Sequence, residues 1–264
     1  MTPVQLTRSP AAEHLPLLSE YCLRLGDDRL ILGHRTSEWC GHGPMLEEDI
    51  ALANVALDLI GVGNNFLELA AGYEGKGRSA DDLAFQREAI QFRCCHLVEQ
   101  PNGDYAFTVV RHLFFGVYSV LLFEELAKSP IPEIAGIAGK GLKESQYHIR
   151  HMGEWVVRFG NGTPESQKRL QAALSGLWRF TGELFESDQV EQQLHRAGLV
   201  PDSSALKAGW TKVIEQLLSD SGLSMPDAAT WMVRGARSGR HSEHLGHLLA
   251  EMQSVARAHP GASW

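Results

Sequence analysis

The side chains best suited to chemistry in this 264-residue sequence are histidines and carboxylates at helical spacing. A pair of iron ions inside a helical bundle takes a Glu from each of two helices and Glu-x-x-His from each of two others. The i, i+3 spacing puts both donors of such a motif on one helix face. The sequence holds no complete set. Segment 46–71 contains no His, and in 133–159 Glu144 and His148 stand at i, i+4, with Tyr147 at i+3 from Glu144 and Ser145 at i−3 from His148. A second cluster, His241-Ser242-Glu243-His244-Leu245-Gly246-His247, places three imidazoles at i, i+3 and i+6. It is not the His-Glu-x-x-His zinc arrangement. It is expected to be a polar helix start with Glu243 near the positive end of the dipole, and a metal or interface role is the alternative.

Other chemistries leave less trace. Gly61-Val62-Gly63-Asn64-Asn65 has glycines but falls inside a helical stretch with no strand before it, so the small residues are expected to allow close helix packing. No Ser-His-Asp or Gly-x-Ser-x-Gly pattern occurs. Trp178, Phe180 and Phe185 read as core. The cysteines, at 22, 40, 94 and 95, include no Cys-x-x-Cys pair, which argues against a structural zinc site or a disulfide framework and fits a reducing cytoplasm. Residues Met1 to Pro10 lack a basic start followed by an apolar run, so no signal peptide is expected. With a net charge of −8 and no long basic run, the chain is not expected to bind nucleic acid.

The elements that must position these residues are helices. Breakers fall at Gly41-His42-Gly43-Pro44, Gly72 to Gly77, Pro101-Asn102-Gly103, Ser129-Pro130-Ile131-Pro132 and Gly160-Asn161-Gly162-Thr163-Pro164. The intervals between them predict helices over about 14–40, 46–71, 81–97, 104–128, 133–159 and 165–188. Thr163 is placed to cap the last, with Pro164 at its first position and Glu165 suited to the dipole. A 26-residue helix is roughly 39 Å long. Four such rods joined by short loops predict an all-α four-helix bundle. Segment 189–240 is less regular, and a last helix is predicted over 241–258. The expected organisation is one domain over 1–264, with a core bundle at 14–188 and a helical C-terminal extension at 189–264. The apolar stretch from Ile50 to Ala71 carries Asn54, Asp58, Asn64, Asn65 and Glu68, which predicts a helix buried on most of its circumference rather than a membrane span.

Many short segments, in order along nearly the whole chain, carry a family resemblance. They include Leu25-Gly26-Asp27, Ser37-Glu38-Trp39-Cys40-Gly41-His42, Asp49-Ile50-Ala51-Leu52-Ala53-Asn54 and Val98-Glu99-Gln100-Pro101-Asn102-Gly103. Further along come Lys143-Glu144 with Tyr147-His148, Gly160-Asn161-Gly162-Thr163, Leu177-Trp178-Arg179-Phe180-Thr181, Leu249-Ala250-Glu251-Met252-Gln253, Pro260-Gly261 and Trp264. The sequence resembles the structural C-subunit family of bacterial phenylacetyl-CoA epoxygenases. The resemblance implies a ferritin-like fold and membership of a cytoplasmic monooxygenase complex that epoxidises the aromatic ring of phenylacetyl-CoA in phenylacetate catabolism. It further implies a related catalytic subunit that holds the di-iron centre, self-association, and a reductase carrying NADPH, flavin and iron–sulfur chemistry. No cofactor is implied for this chain.

Comparison with the catalytic relatives of that family identifies degenerate ligand positions. Where those relatives carry Asp-Glu-Ala-Gly-His-Gly, this sequence has Asp58-Leu59-Ile60-Gly61-Val62-Gly63, so Leu59 and Val62 occupy ligand positions. Where they carry Lys-Glu-Glu-Ser-Phe-His, it has Lys143-Glu144-Ser145-Gln146-Tyr147-His148, leaving Ser145 and His148. The remaining two positions fall at Arg29 and Gly116. Leu and Val donate nothing and Arg repels a cation, so the resemblance implies a subunit without catalytic or metal-binding residues of its own. His148 is expected to be a satisfied buried histidine. Arg29 is expected to replace the lost metal charge and to pair with an acid such as Asp58. The alternatives are an active ferritin-like oxidase with an atypical site built on His148 and Glu144, and a helical scaffold outside aromatic catabolism.

Overall fold

In a computed structural model, residues 10–227 and 229–262 are described. Met1 to Ser9 and the closing Trp264 lie outside them. The described residues contain helices and no strand: α1 (Leu15–Ser37), α2 (Leu46–Glu74), α3 (Ala80–Phe85), α4 (His96–Glu99), α5 (Tyr105–Leu126), α6 (Pro132–Gly160), α7 (Pro164–Trp178), α8 (Gln189–Arg196), α9 (Ser203–Asp220), α10 (Glu243–Met252) and α11 (Ser254–Ala258). This is an all-α, ferritin-like architecture. Two helical hairpins, α1 with α2 and α5 with α6, form the four-helix bundle.

The α1–α2 contact is close because glycines face each other. A Cβ on Gly63 would lie 3.1 Å from the Gly26 carbonyl oxygen and 3.1 Å from the Leu30 amide, and one on Gly26 would meet the Leu67 side chain at 2.7 Å. The glycines of the Gly61–Asn65 stretch thus serve helix packing, through Gly63. Gly75, at φ 68°, ends α2 in the left-handed conformation that glycine adopts without a Cβ clash. The loop before α7 behaves as its sequence predicts: the Thr163 hydroxyl accepts from the Ser166 amide and Pro164 opens the helix. α9 packs on α5 and α6, and Trp210 donates from Nε1 to the Phe114 carbonyl at 2.9 Å. The Trp210 ring centre lies 5.4 Å from those of Phe114 and Phe185 and 5.6 Å from that of Trp178, and Phe114 lies 5.7 Å from Trp178. Such pairs contribute roughly 0.5–1.5 kcal/mol each beyond the area they bury.

Three predicted elements differ. The helix expected over 81–97 breaks after Phe85 and resumes only as α4, because its backbone donors find partners on α1 instead. Asp27 accepts from the Arg93 amide at 2.7 Å and Asp28 from the Cys95 amide at 2.8 Å. Arg87 caps Leu83 with its Nε and pairs with Asp27 through its Nη atoms. The helix expected over 165–188 ends at Trp178, and a 3₁₀ turn over Gly182–Phe185 turns Glu183 inward. There it accepts from the amides of His96 and Ala236. The irregular segment 189–240 holds two helices, α8 and α9, capped by the side chains of Asp188 and Asp202.

A fourth difference concerns α2. Both α2 and α5 are long and apolar enough to cross a membrane by length and composition. The most apolar stretch of α5 is 83% buried in the fold, that of α2 only 44%. The expectation that α2 is buried on most of its circumference is corrected accordingly. Leu46, Ile50 and Leu57 recur at helical spacing along its outer side and are mostly exposed.

Candidate functional site in the bundle interior

The six positions that the resemblance aligns with metal ligands come from all four bundle helices. Leu59 and Val62 on α2 are buried among apolar neighbours, and Gly116 on α5 touches α6 so closely that a Cβ would lie 2.6 Å from Ile149 Cγ2. Ser145 and His148 are buried on α6.

Arg29 enters the core from α1 and is 1% exposed. Its guanidinium donates to the Leu25 carbonyl at 3.0 Å and reaches Ser119 Oγ at 3.5 Å. Its Cζ lies 4.3 Å from the ring centre of Phe123, 5.5 Å from Phe115 and 5.7 Å from Phe66. Ring faces attract a desolvated cation. Burial pulls its pKa down to about 10, against the pull of the Asp28 carboxylate. The expected pairing of Arg29 with Asp58 is therefore corrected: Arg29 is held by rings, and Asp58 goes to His148.

His148 Nε2 lies 3.0 Å from Asp58 Oδ2. Burial lowers the His148 pKa, with Asp58 opposing. One helical turn on, His151 Nε2 lies 2.8 Å from Glu48 Oε2, which also accepts from the Tyr105 hydroxyl. Glu144 is raised by burial and by Asp58, and its Oε2 has no hydrogen-bond partner. On α5, His112 meets the Thr36 hydroxyl at 2.9 Å, and burial together with the nearby Arg111 holds it well below the ordinary histidine range.

These donors occur as pairs. Among the described residues, the bundle brings no three His, Cys, Asp or Glu donor atoms within 4.8 Å of one another. A di-iron centre needs carboxylates and imidazoles around both ions. Apolar Leu59 and Val62, with a guanidinium buried in the same bundle, do not fit such a centre.

One converging group of donors lies elsewhere: Cys94, Glu99 and His241. The sequence places His241 on a helix with His244 and His247, but α10 begins only at Glu243. His241 precedes it and turns inward, its Nδ1 2.9 Å from Glu99 Oε2, whereas His247 is exposed on α10 and His244 half-buried. Beside it, His96 Nδ1 lies 2.8 Å from Glu183 Oε2. Burial alone would lower the His96 pKa, but Glu183 and Glu99 outweigh it and the net shift is upward; Glu183 is correspondingly lowered, its burial outweighed by His96. Sequence spacing gave no signal for this group, since its members are 142 residues apart across the Glu99–His241 contact.

A family model described as "Phenylacetic acid catabolic protein" matches residues 1–264. The chain is 44% identical over 247 residues to the C subunit of 1,2-phenylacetyl-CoA epoxidase from Escherichia coli (strain K12), a match covering 94% of this chain and 99% of that relative.

Proposed function

The chain belongs to the phenylacetic acid catabolic protein family, and on that premise we propose that it is the non-catalytic, structural subunit of a multicomponent phenylacetyl-CoA 1,2-epoxidase. In this proposal it pairs in the cytoplasm with a related subunit that holds the di-iron centre. Electrons reach that centre from a separate reductase carrying NADPH, flavin and iron–sulfur groups.

The observation that carries the proposal is the outer side of α2. A helix this apolar with less than half of its apolar stretch covered has surface left for another protein. Leu46, Ile50 and Leu57 stand 71%, 55% and 68% exposed, and Tyr147 of the adjoining α6 is also exposed. Asn54 and Glu68 border the apolar positions along the same helix. An apolar centre with polar margins is the composition of a protein interface. The remaining contribution of the chain is mechanical. A catalytic constellation has to be held to within about 0.5 Å by the elements behind it, and a second bundle packed by glycine contacts is a stiff support.

Co-expression with the di-iron relative, followed by size exclusion and iron analysis, tests the proposal. The expected result is a stable heteromer whose iron follows the relative, with none in this chain purified alone. Leu57→Glu together with Ile50→Glu is expected to abolish co-elution while leaving the helical circular dichroism unchanged. Stoichiometric iron in the lone chain, or a lone chain indifferent to its relative, overturns it.

A further inference from the structure

Outside the bundle, the seam between α4 and the residues leading into α10 gathers three donors of different chemistry. One donor atom from each of Cys94, Glu99 and His241 lies within 4.8 Å of the others, with His241 Nδ1 4.0 Å from Cys94 Sγ and 2.9 Å from Glu99 Oε2. Cys94 and Glu99 are 0% exposed and the His241 side chain is 4% exposed. We propose that Cys94, Glu99 and His241 form a binding site for a divalent transition-metal ion of zinc type.

Three features of the geometry point to a metal ion. The first is the orientation of His241. Its Nε2 lies 3.0 Å from the Phe92 carbonyl oxygen, to which it can only donate, so the lone pair of the neutral ring belongs to Nδ1, the atom facing Glu99 and Cys94. A ligand histidine is fixed in this way, its other nitrogen bonded to a carbonyl or carboxylate. The second is the state of Glu99. Its Oε1 is engaged by the Ser242 amide at 2.8 Å, which leaves Oε2 turned to Nδ1. Two acceptor atoms at 2.9 Å need a cation between them, either a proton or a metal. The third is charge. A thiolate and a carboxylate around a dication sum to zero, the condition under which ionised groups are tolerated in a buried place.

The spacing is compatible. Zinc bonds of about 2.0 Å to N and O and 2.3 Å to S, at tetrahedral angles, separate neighbouring donors by roughly 3.3–3.6 Å. The observed 2.9 Å between His241 Nδ1 and Glu99 Oε2 and 4.0 Å between His241 Nδ1 and Cys94 Sγ bracket that range. Mixed S, N and O donors favour zinc over magnesium or calcium. Without a metal, burial and the Glu99 carboxylate hold the Cys94 thiol protonated. Binding therefore expels the thiol proton and the proton shared by His241 and Glu99 to solvent, forms bonds from sulfur, nitrogen and oxygen to the metal, and involves no change of oxidation state. The site is invisible along the sequence because its donors come from positions 94, 99 and 241, and no short spacing motif joins the three.

The full chain, unfolded with a chelator, refolded with Zn²⁺ and dialysed, is expected to keep one zinc ion per chain by elemental analysis. Co²⁺ in its place is expected to give the near-ultraviolet absorption of a cobalt–thiolate bond. Cys94→Ala and His241→Gln are each expected to lose the metal, whereas Cys40→Ala, which removes an exposed thiol, keeps it. Substoichiometric zinc in the parent chain, or zinc retained by Cys94→Ala and His241→Gln, overturns the proposal. Should either variant fail to fold by circular dichroism, the parent with cobalt decides: absence of the thiolate band overturns the site.

Discussion

The molecule has two polar interiors, and they are built on opposite terms. In the bundle, the Arg29 guanidinium faces aromatic rings, and His112 meets the Thr36 hydroxyl with the Arg111 guanidinium nearby. In the seam where residues 86–99 and 236–242 lie against α1, carboxylates dominate: Asp27, Asp28, Glu99 and Glu183 are all nearly or wholly buried. Each accepts backbone amide hydrogens as well as side-chain donors. The bundle holds its charge by packing, and the seam holds its chain trace by charge. Arg29, which has no carboxylate partner in contact among the described residues, is replaceable by an apolar residue of similar shape. Groups in the seam are not, because removing a carboxylate also orphans the amides of an extended segment.

The largest expected effect breaks the seam. Asp28→Ala leaves Arg237 buried without the carboxylate that it contacts at 2.7 and 2.9 Å and strands the Cys95 amide. Removing one member of a buried pair costs about 3–5 kcal/mol, measurable by urea unfolding. Arg29→Met makes the opposing test. An apolar residue of similar volume in place of a buried charge is expected to be neutral or to stabilise by about 1–4 kcal/mol. Equal losses in the two variants would erase the distinction between the regions.

Acid sharpens the contrast, because the two regions respond with opposite sign. His96 is raised, so its contribution is complete below the unfolded histidine value near pH 6.5 and fades as pH rises through the folded value. Glu183 is lowered, so its share is complete above about pH 4.5 and fades as pH falls through its depressed folded value. The pair is thus strongest between roughly pH 4.5 and 6.5. His112 is lowered, so below about pH 6.5 the unfolded chain takes up a proton that the fold refuses, and stability drops. In thermal unfolding across this range, His112→Gln is expected to flatten the acid loss, and His96→Leu to flatten the loss on the alkaline side. A variant pair with superimposable pH profiles would contradict the assignment. The smallest effect on stability is expected at the α2 surface, where Leu57→Glu changes unfolding by no more than about 0.5 kcal/mol while it impairs pairing.

The same contrast explains what the sequence disclosed. α1, α2, α5 and α6 are legible because apolar periodicity and Gly or Pro breakers are local signals, and the Thr163–Pro164 cap is legible for the same reason. The break after Phe85 is not, because its cause is Asp27 and Asp28, some 60 residues earlier in the chain. α8 and α9 carry usable local signals in Asp188 and Asp202, whose side chains cap them, but α8 is only eight residues long and mostly polar, and it does not stand out in the sequence. The expectation of lost ligand positions comes from the resemblance and not from spacing. Where the Arg29 charge ends up is not legible, since ring faces on α2 and α5 claim it rather than Asp58. The cluster of Cys94, Glu99 and His241 has no sequence signature at all.

The span of one contact carries a consequence for synthesis. Asp28 and Arg237 lie 209 residues apart. On a ribosome, the α1–α2 hairpin emerges and can pair long before Arg237 has been translated, since chains fold N-terminal part first. Throughout that interval Asp28 lacks its cation and the extended stretch before α4 lacks its cover. The seam is therefore completed last: a chain that stops short of Arg237 has Asp27 already paired with Arg87, while the buried Asp28 carboxylate has yet to meet its guanidinium.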